Sequence, residues 1–461
     1  MTDLLPLSLI LLGFVPLYWR LVGFNLSVTS VFMGAIWLIY GAGYVAFTRF
    51  FGPGVFESLL PPNPDNKLAQ YLICGRELSQ YNFILQTSIN LNIIPTFDRA
   101  ISLLFIGLTL GCMLADRVCS SSPQKMRLAM NEWSAKPPEA IGPTRNWMLT
   151  LVSAGALLLL VYFMVHDHQI SKVWRYFISQ AGEFEKIKMR QSEGGSDSYF
   201  FNLMLCTVLP FICFYLIASL KERRGSFLTL ALLITLFVAL AKLALLSKAP
   251  VVVFFAQICL LFQLRKTLRF RGAIVWTFLA ALTTLFVMTF VANPELNATQ
   301  GLGFVLYRIF MAPNEALLEY FAAIPHLIPH TWGLDNRFLA KILQITPLEA
   351  THFRVSELYR GVKGHSTNTM FIGDAWAQFG WAGVIAGSAL AGFMFRWVDV
   401  QMIIVRKKSA ASIAGLALAY FAAFTALSTA LQTSFLTGGL LMVVPLVWLF
   451  SRTRPSSPLV Q

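Results

Sequence analysis

Gly364-His365-Ser366-Thr367-Asn368-Thr369-Met370 runs without a break into Phe371-Ile372-Gly373-Asp374-Ala375-Trp376-Ala377-Gln378-Phe379-Gly380-Trp381-Ala382-Gly383, and the apolar character persists to Phe395. The run 371–395 can cross a bilayer, because a spanning helix takes about 20 predominantly apolar residues. The hydroxyl-rich stretch before it closes a long polar segment, 293–370. An imidazole and a carboxylate, His365 and Asp374, therefore stand where the chain re-enters a membrane.

Outward from this stretch the same signal recurs at 4–19, 27–48, 100–115, 147–165, 200–220, 227–246, 249–264, 272–292, 411–430 and 433–450, about eleven candidate spans with 371–395. The segment 68–94 is too polar for a plain span and apolar enough to lie in the interface. Composition agrees: 56% of the 461 residues are hydrophobic and only 13% are charged, against about 25% charged in a soluble globular chain. The expectation is a single all-α, polytopic integral membrane domain over 1–461.

The net charge of +14 is distributed by loop. Lys221-Glu222-Arg223-Arg224, Arg265 to Arg271, Arg396 with Arg406-Lys407-Lys408, and Arg452 with Arg454 form one basic set. The loops 166–199 and 293–370 balance their charges. An excess of Lys and Arg marks cytoplasmic loops, so the first set is read as cytoplasmic, with the C-terminus, and the second as external. Membrane orientation accounts for the positive charge, and no nucleic-acid partner is expected. There is no Walker A sequence and no repeat in hydropathy of the inverted-repeat transporter kind, and no cleavable signal is expected from Met1-Thr2-Asp3, which lacks a basic n-region. The six cysteines lack metal-ligand spacing and read as small hydrophobes.

The chemistry-bearing residues cluster in the two external loops. In 293–370 a helix is expected over 306–323, with Arg308, Glu315 and Glu319 on one face and a bend at Pro313. Trp332-Gly333-Leu334-Asp335-Asn336-Arg337 reads as a turn. Arg308, Arg337, Arg354 and Arg360 can fork onto a diphosphate, or can pair with Glu315, Glu319, Asp335 and Glu357, the last at i,i+3 from Arg354 and Arg360. In 166–199, Arg190 precedes Gly194-Gly195 and Tyr199, a phosphate or sugar contact ahead of a membrane helix. Lys248 opens another helix at the external face, and Lys242 lies within the membrane, where an ionisable group is a functional candidate. Asn297-Ala-Thr is a formal glycosylation acceptor. Among six histidines, His166 and His168 lack a third metal ligand, His326 and His330 are spaced for a helical pair between prolines, and His352 lies in a polar loop without distinguishing neighbours. His365 has the setting of a general base, titrating unperturbed near 6.5; a solvated imidazole in a capping loop is the competing account. Asp374, in the first turn of the following helix, is placed to orient it or a sugar hydroxyl.

The stretch His365-Ser-Thr-Asn368-Thr-Met-Phe-Ile-Gly-Asp374-Ala-Trp-Ala-Gln-Phe379-Gly380-Trp-Ala-Gly383, with Tyr307-Arg308 and the Arg190…Gly194-Gly195…Tyr199 loop, resembles the Wzy-type O-antigen and oligosaccharide repeat-unit polymerases, and the related O-antigen ligases. The likeness at motif level covers about a tenth of the chain. Ser247-Lys248 stands where the family helix often opens with Gly-Ser-Arg, and Arg354 reaches Gly364 one residue short of an Arg-x10-Gly spacing.

That resemblance implies a glycosyltransferase of GT-C-like helical fold in the bacterial inner membrane, with a periplasmic site and neither metal nor cofactor. Its donor and acceptor would be glycans on undecaprenyl diphosphate, and a separate chain-length regulator would be its protein partner. His365 would take the proton of the attacking hydroxyl, held by Asn368 or Asp374. Arg308, Arg354, Arg360, Arg337, Arg190 and Lys248, with Tyr199 and Glu315, would bind diphosphate and sugar. Three other readings stay open: a ligase moving the finished glycan to a lipid A-core, a flippase or transporter, and a non-catalytic scaffold. A transporter predicts charges along mid-membrane helices, and in the sequence most charges sit at span ends, Lys242 excepted.

Overall fold

The computed structural model describes residues 4–45, 93–137, 169–178, 199–220, 226–243, 249–270, 305–335, 343–360 and 366–451, with short pieces between 154 and 166 and between 279 and 302, and Ala340. These residues are helical, and their only strand-like pairing is an isolated bridge between Asn25 and Arg269. Helices are forced by the solvent: in hydrocarbon each backbone N–H and C=O must be satisfied within its own segment.

Five of the described helices are long and apolar enough to cross a membrane: Val28–Val45, Pro95–Val118, Phe200–Ser219, Phe371–Val405 and Leu431–Ser451. Shorter apolar helices, Leu11–Leu21, Leu228–Lys242, Pro250–Leu264 and Ala410–Ala426, accompany them. The chain is a helical membrane protein, and these nine coincide with nine of the expected runs. The runs 147–165 and 272–292 fall largely outside the described residues, as does 68–94.

In chain order the elements used below are α1 (Leu4–Leu21), α2 (Val28–Ile36), α3 (Ile93–Val118), α4 (Pro123–Ala135), α5 (Gln169–Ile178), α6 (Leu209–Ser219), α7 (Ser226–Lys242), α8 (Ala249–Leu264), α9 (Ala312–Ala323), α10 (Thr351–Arg360), α11 (Phe371–Asp399), α12 (Ala410–Ala426), α13 (Leu431–Phe435) and α14 (Leu440–Ser451).

Helices α3 and α11 pack along much of their length and form the spine. Lipid tails are as apolar as leucine, so helices associate in a membrane by close packing of small residues. A methyl at Gly111 would run into the Ala389 carbonyl, and one at Gly392 into the Leu108 carbonyl. On α3, Ile106, Leu110, Met113 and Leu114 are exposed instead, a stripe for lipid.

At the far end of α11 the reading of Arg396 as a loop cation is corrected. The helix does not stop near 395 but runs through Asp399 into a π turn, Val400–Val405. Arg396 is fully buried and bidentate on Asp116 of α3, with Nε at 2.8 Å and Nη2 at 3.0 Å. One turn on, buried Asp399 accepts from the backbone N–H groups of Val28 (2.8 Å) and Thr29 (2.9 Å), so it caps the positive end of α2 from another helix. Nearby, the Lys408 ammonium donates to the carbonyls of Trp133 (2.8 Å) and Lys136 (2.7 Å), tying the end of α4 to the start of α12. Charges inside the bundle are thus more numerous than the sequence indicated.

Candidate functional site

At the opposite end of α11, α9, α10, the turn after α9 and the segment 366–370 converge. The helix expected over 306–323 is two pieces, a π turn at Tyr307–Met311 and then α9. Pro313 lacks an N–H, and the Asn314 side chain takes the Phe310 carbonyl at 2.7 Å while also bonding the Ile39 carbonyl at 2.9 Å. Arg308, on the π turn, is exposed; Glu315 is half-buried and Glu319 buried on α9.

After α9 the chain folds back over α11. The Trp376 indole donates to the Ile324 carbonyl at 2.9 Å. The N–H groups of Thr331 and Trp332 bond the carbonyls of Ala377 and Gln378, both at 3.0 Å. Those carbonyls are available because α11 breaks at Gly380, whose φ of +57° and ψ of −139° suit glycine alone. At the bend a methyl on Gly383 would strike the Ala375 carbonyl. The aromatic-Gly-x-x-Gly pattern therefore has a backbone reason: it makes the bend that receives the turn.

The turn expected at 332–337 is present as far as Asp335, the last residue described there, with Trp332 at φ +52°. Asp335 is half-buried and accepts two hydroxyls, Thr331 Oγ1 at 3.1 Å and Thr351 Oγ1 at 2.6 Å. Thr351 opens α10, so one carboxylate joins the turn to that helix. The Thr367 N–H bonds the His352 carbonyl at 3.1 Å, and the Tyr320 hydroxyl donates to the Thr367 carbonyl at 3.2 Å. The segment before α11 is thus held from two sides. Within it Ser366 Oγ lies 2.6 Å from Asn368 Oδ1, and Asn368 is exposed.

Asp374 stands in the first turn of α11, half-buried, and its carboxylate accepts no hydrogen bond among the described residues. The Tyr320 hydroxyl is held well above its ordinary range, first by burial and then by the carboxylates of Asp374, Glu319 and Asp335. That phenol stays protonated and serves as a donor. His352 is pushed below its usual value by burial, partly offset by Asp335. His352 is thus not the featureless loop histidine of the sequence: it is a half-buried member of α10. The buried hydroxyls of Thr367 and Thr369 meet no partner among the described residues.

Arg354 is half-buried on α10, and the helical spacing expected for it is present. The alternative pairing with Glu357 is not: Arg354 makes no ion pair among the described residues. His326 is exposed, while His330 turns its ring edge to Trp376 with centroids 5.6 Å apart; no regular helix joins the two. No cluster of three His, Cys, Asp or Glu residues able to hold a metal occurs among the described residues. His365, Arg190, Arg337 and Lys248 lie outside the described residues, as do the side chains of Arg360 and Tyr199. No protein-family model matches the chain, and neither a curated protein nor a solved structure does.

The structure thus brings together Tyr320, Asp335, Thr351, His352 and Thr367, with the Asp374 carboxylate acting on Tyr320 and Asn368 exposed in the same segment as Thr367. Of these, sequence reasoning gave a site role only to Asp374 and Asn368, and named Asp335 only as a turn residue and a partner for an arginine. Tyr320, Asp335 and His352 carried no local signal, since each is defined by contacts across long stretches of chain. Chemically, the cluster offers a half-buried carboxylate, neutral hydroxyl donors and an exposed amide, groups that can hydrogen-bond hydroxyls and move a proton.

Proposed function

We propose that the chain is a bacterial inner-membrane polysaccharide polymerase, joining oligosaccharide repeat units carried on undecaprenyl diphosphate. In this reading about eleven spans form a GT-C-like helical fold, with the C-terminus cytoplasmic and the site periplasmic. The observation that carries the reading is Asp374: a half-buried carboxylate in the first turn of α11 that accepts no hydrogen bond among the described residues and acts electrostatically on the Tyr320 hydroxyl. The motif resemblance beginning at His365 supports it.

In the proposed reaction a hydroxyl of the acceptor glycan attacks the anomeric carbon of the donor. A new glycosidic C–O bond forms, the bond to the diphosphate breaks, and lipid diphosphate leaves with the electron pair. His365 takes the hydroxyl proton. Asp374 and Asn368 orient the acceptor or the imidazole. Arg308, Arg354 and Arg360, with Arg337, Arg190 and Lys248, neutralise the departing diphosphate, and Tyr199 and Glu315 contact sugar.

The test is a glycan ladder from cells deleted for the gene and complemented with wild type, His365→Ala or Asp374→Asn. Collapse to single repeat units with either membrane-inserted variant supports the polymerase, since losing a positioned base costs roughly 10²–10⁴-fold. Full-length polymer stranded on carrier lipid would assign the chain as a ligase. An unchanged ladder would refute both. A transporter reading draws on one specific observation: Lys242 is buried, with its ammonium 4.9 Å from the Phe421 ring centroid and 5.7 Å from that of Phe254.

A further inference from the structure

Away from this site, three helices flank an open apolar groove of about 440 Å³. Its walls include Val161 and Val165 from the preceding helical piece, Ile170 and Trp174 from α5, and Phe237 and Leu240 from α7. Each pair is spaced by three or four residues, so each helix turns one face inward. Most of these side chains remain open: Trp174 is 64% exposed, Val165 60% and Ile170 58%. The volume falls in the range of sites for drug-sized ligands, about 300–1,000 Å³.

The helix that closes the groove has a second face. In α5, Lys172 and Arg175 stand off the stripe formed by Ile170, Val173 and Trp174. A helix with an apolar stripe, basic residues beside it and a tryptophan lies in the plane of a membrane interface, where cations meet anionic headgroups. One element therefore supplies both an apolar wall and two cations, the complement of a molecule with a hydrocarbon tail and an anionic phosphate head.

We infer that this groove binds a bilayer phospholipid, with one acyl chain between α5 and α7 and the phosphate at Lys172 and Arg175. The volume suits a single acyl chain better than the whole of a long polyprenyl tail, and the charge favours an anionic headgroup. The site is separate from the Asp374 cluster and does not depend on the polymerase reading.

The test uses the full chain in phosphatidylcholine vesicles carrying a small fraction of photoactivatable phosphatidylglycerol, labelled in the acyl chain. Cross-linked peptides are mapped for wild type, for Leu240→Trp, which fills the groove, and for Lys172→Glu/Arg175→Glu. The expected result is labelling concentrated on the peptides holding Val161, Ile170 and Leu240. Leu240→Trp should remove most of it. The double charge reversal should lower it by about thirtyfold or more, the order expected for two interfacial cations against an anionic headgroup. Labelling spread evenly over the lipid-facing stripe of α3 would overturn the proposal. So would full displacement by an equimolar polyprenyl phosphate that unlabelled phosphatidylglycerol cannot match. Because the wild-type map alone decides between these outcomes, a variant that fails to fold leaves the test intact.

Discussion

Replacing Asp116 by Asn removes one charge and leaves its partner in place. Arg396 has no solvent to turn to: its side chain is 0% exposed and Asp116 is 9% exposed. Two hydrogen bonds, at 2.8 and 3.0 Å, are weakened or lost. Breaking a buried pair by removing one partner typically costs about 3–5 kcal/mol, whereas replacing both by apolar groups is often near neutral. Arg396→Met should be the worse single change, because it strands the Asp116 carboxylate with no donor, whereas Asp116→Asn keeps an amide oxygen that still accepts from the guanidinium. The expected order of stability is wild type, then Arg396→Met/Asp116→Leu, then Asp116→Asn, then Arg396→Met. The assay is thermal unfolding in one detergent, followed by size-exclusion chromatography of the surviving fraction, where a loss of this size lowers the midpoint by several degrees. Singles as stable as wild type would refute the argument, as would a double no better than the singles. If Asp116→Asn folds normally but abolishes function in cells, the pair is a working relay and the transporter reading gains.

Further outcomes test the bend and the site. Gly380→Ala forces an L-residue into a conformation costing roughly 1–3 kcal/mol; it should loosen the turn at 330–335, seen as faster proteolysis there and a shortened glycan ladder. Gly111→Leu should abolish accumulation of folded protein, since even a methyl collides with the Ala389 carbonyl. Asp335→Asn leaves Thr331 and Thr351 with a weaker acceptor and should cost about 1 kcal/mol in stability, with a larger loss of ladder length if α10 presents Arg354 to substrate. His352 has a folded pKa below its unfolded value of 6.5. The unfolded state thus takes up the proton first, so stability from this group is full above about 6.5 and falls as pH drops through the folded value. Melting midpoints of wild type and His352→Gln should diverge toward acid pH, and parallel curves would remove His352 from the account.

The spans were legible because the signal is local. The run 249–264 coincides with α8, and 4–19 differs from α1 by two residues at one end. The bend in α11 was not legible: Gly380 sits in a run rich in small residues, and nothing nearby shows that Thr331 and Trp332 take the freed carbonyls. Arg396 looked like a loop cation because its partner lies 280 residues away in sequence. Tyr320 and Thr367 meet across 47 residues, and Asp335 and Thr351 across 16. Hydropathy marks where a chain enters lipid, but it is silent on which polar groups meet outside it.

The bend at Gly380 sets a depth. Between Gly380 and the buried Arg396 there is about 24 Å of helix, close to the hydrocarbon thickness of about 30 Å. Ahead of the bend the chain runs back beside that helix: a methyl on Gly387 would meet Ala375 and Phe371, and the Phe32 ring packs on both Phe371 and Phe395. Residues 371–379 are therefore a re-entrant arm, and backbone that turns back at membrane depth is tolerated where protein covers it. Asp374 sits on that arm, below the bend. A substrate of the proposed polymerase would reach the carboxylate only by entering a crevice between the arm and its neighbours, so the bundle would admit a slender chain end and turn away a branched one.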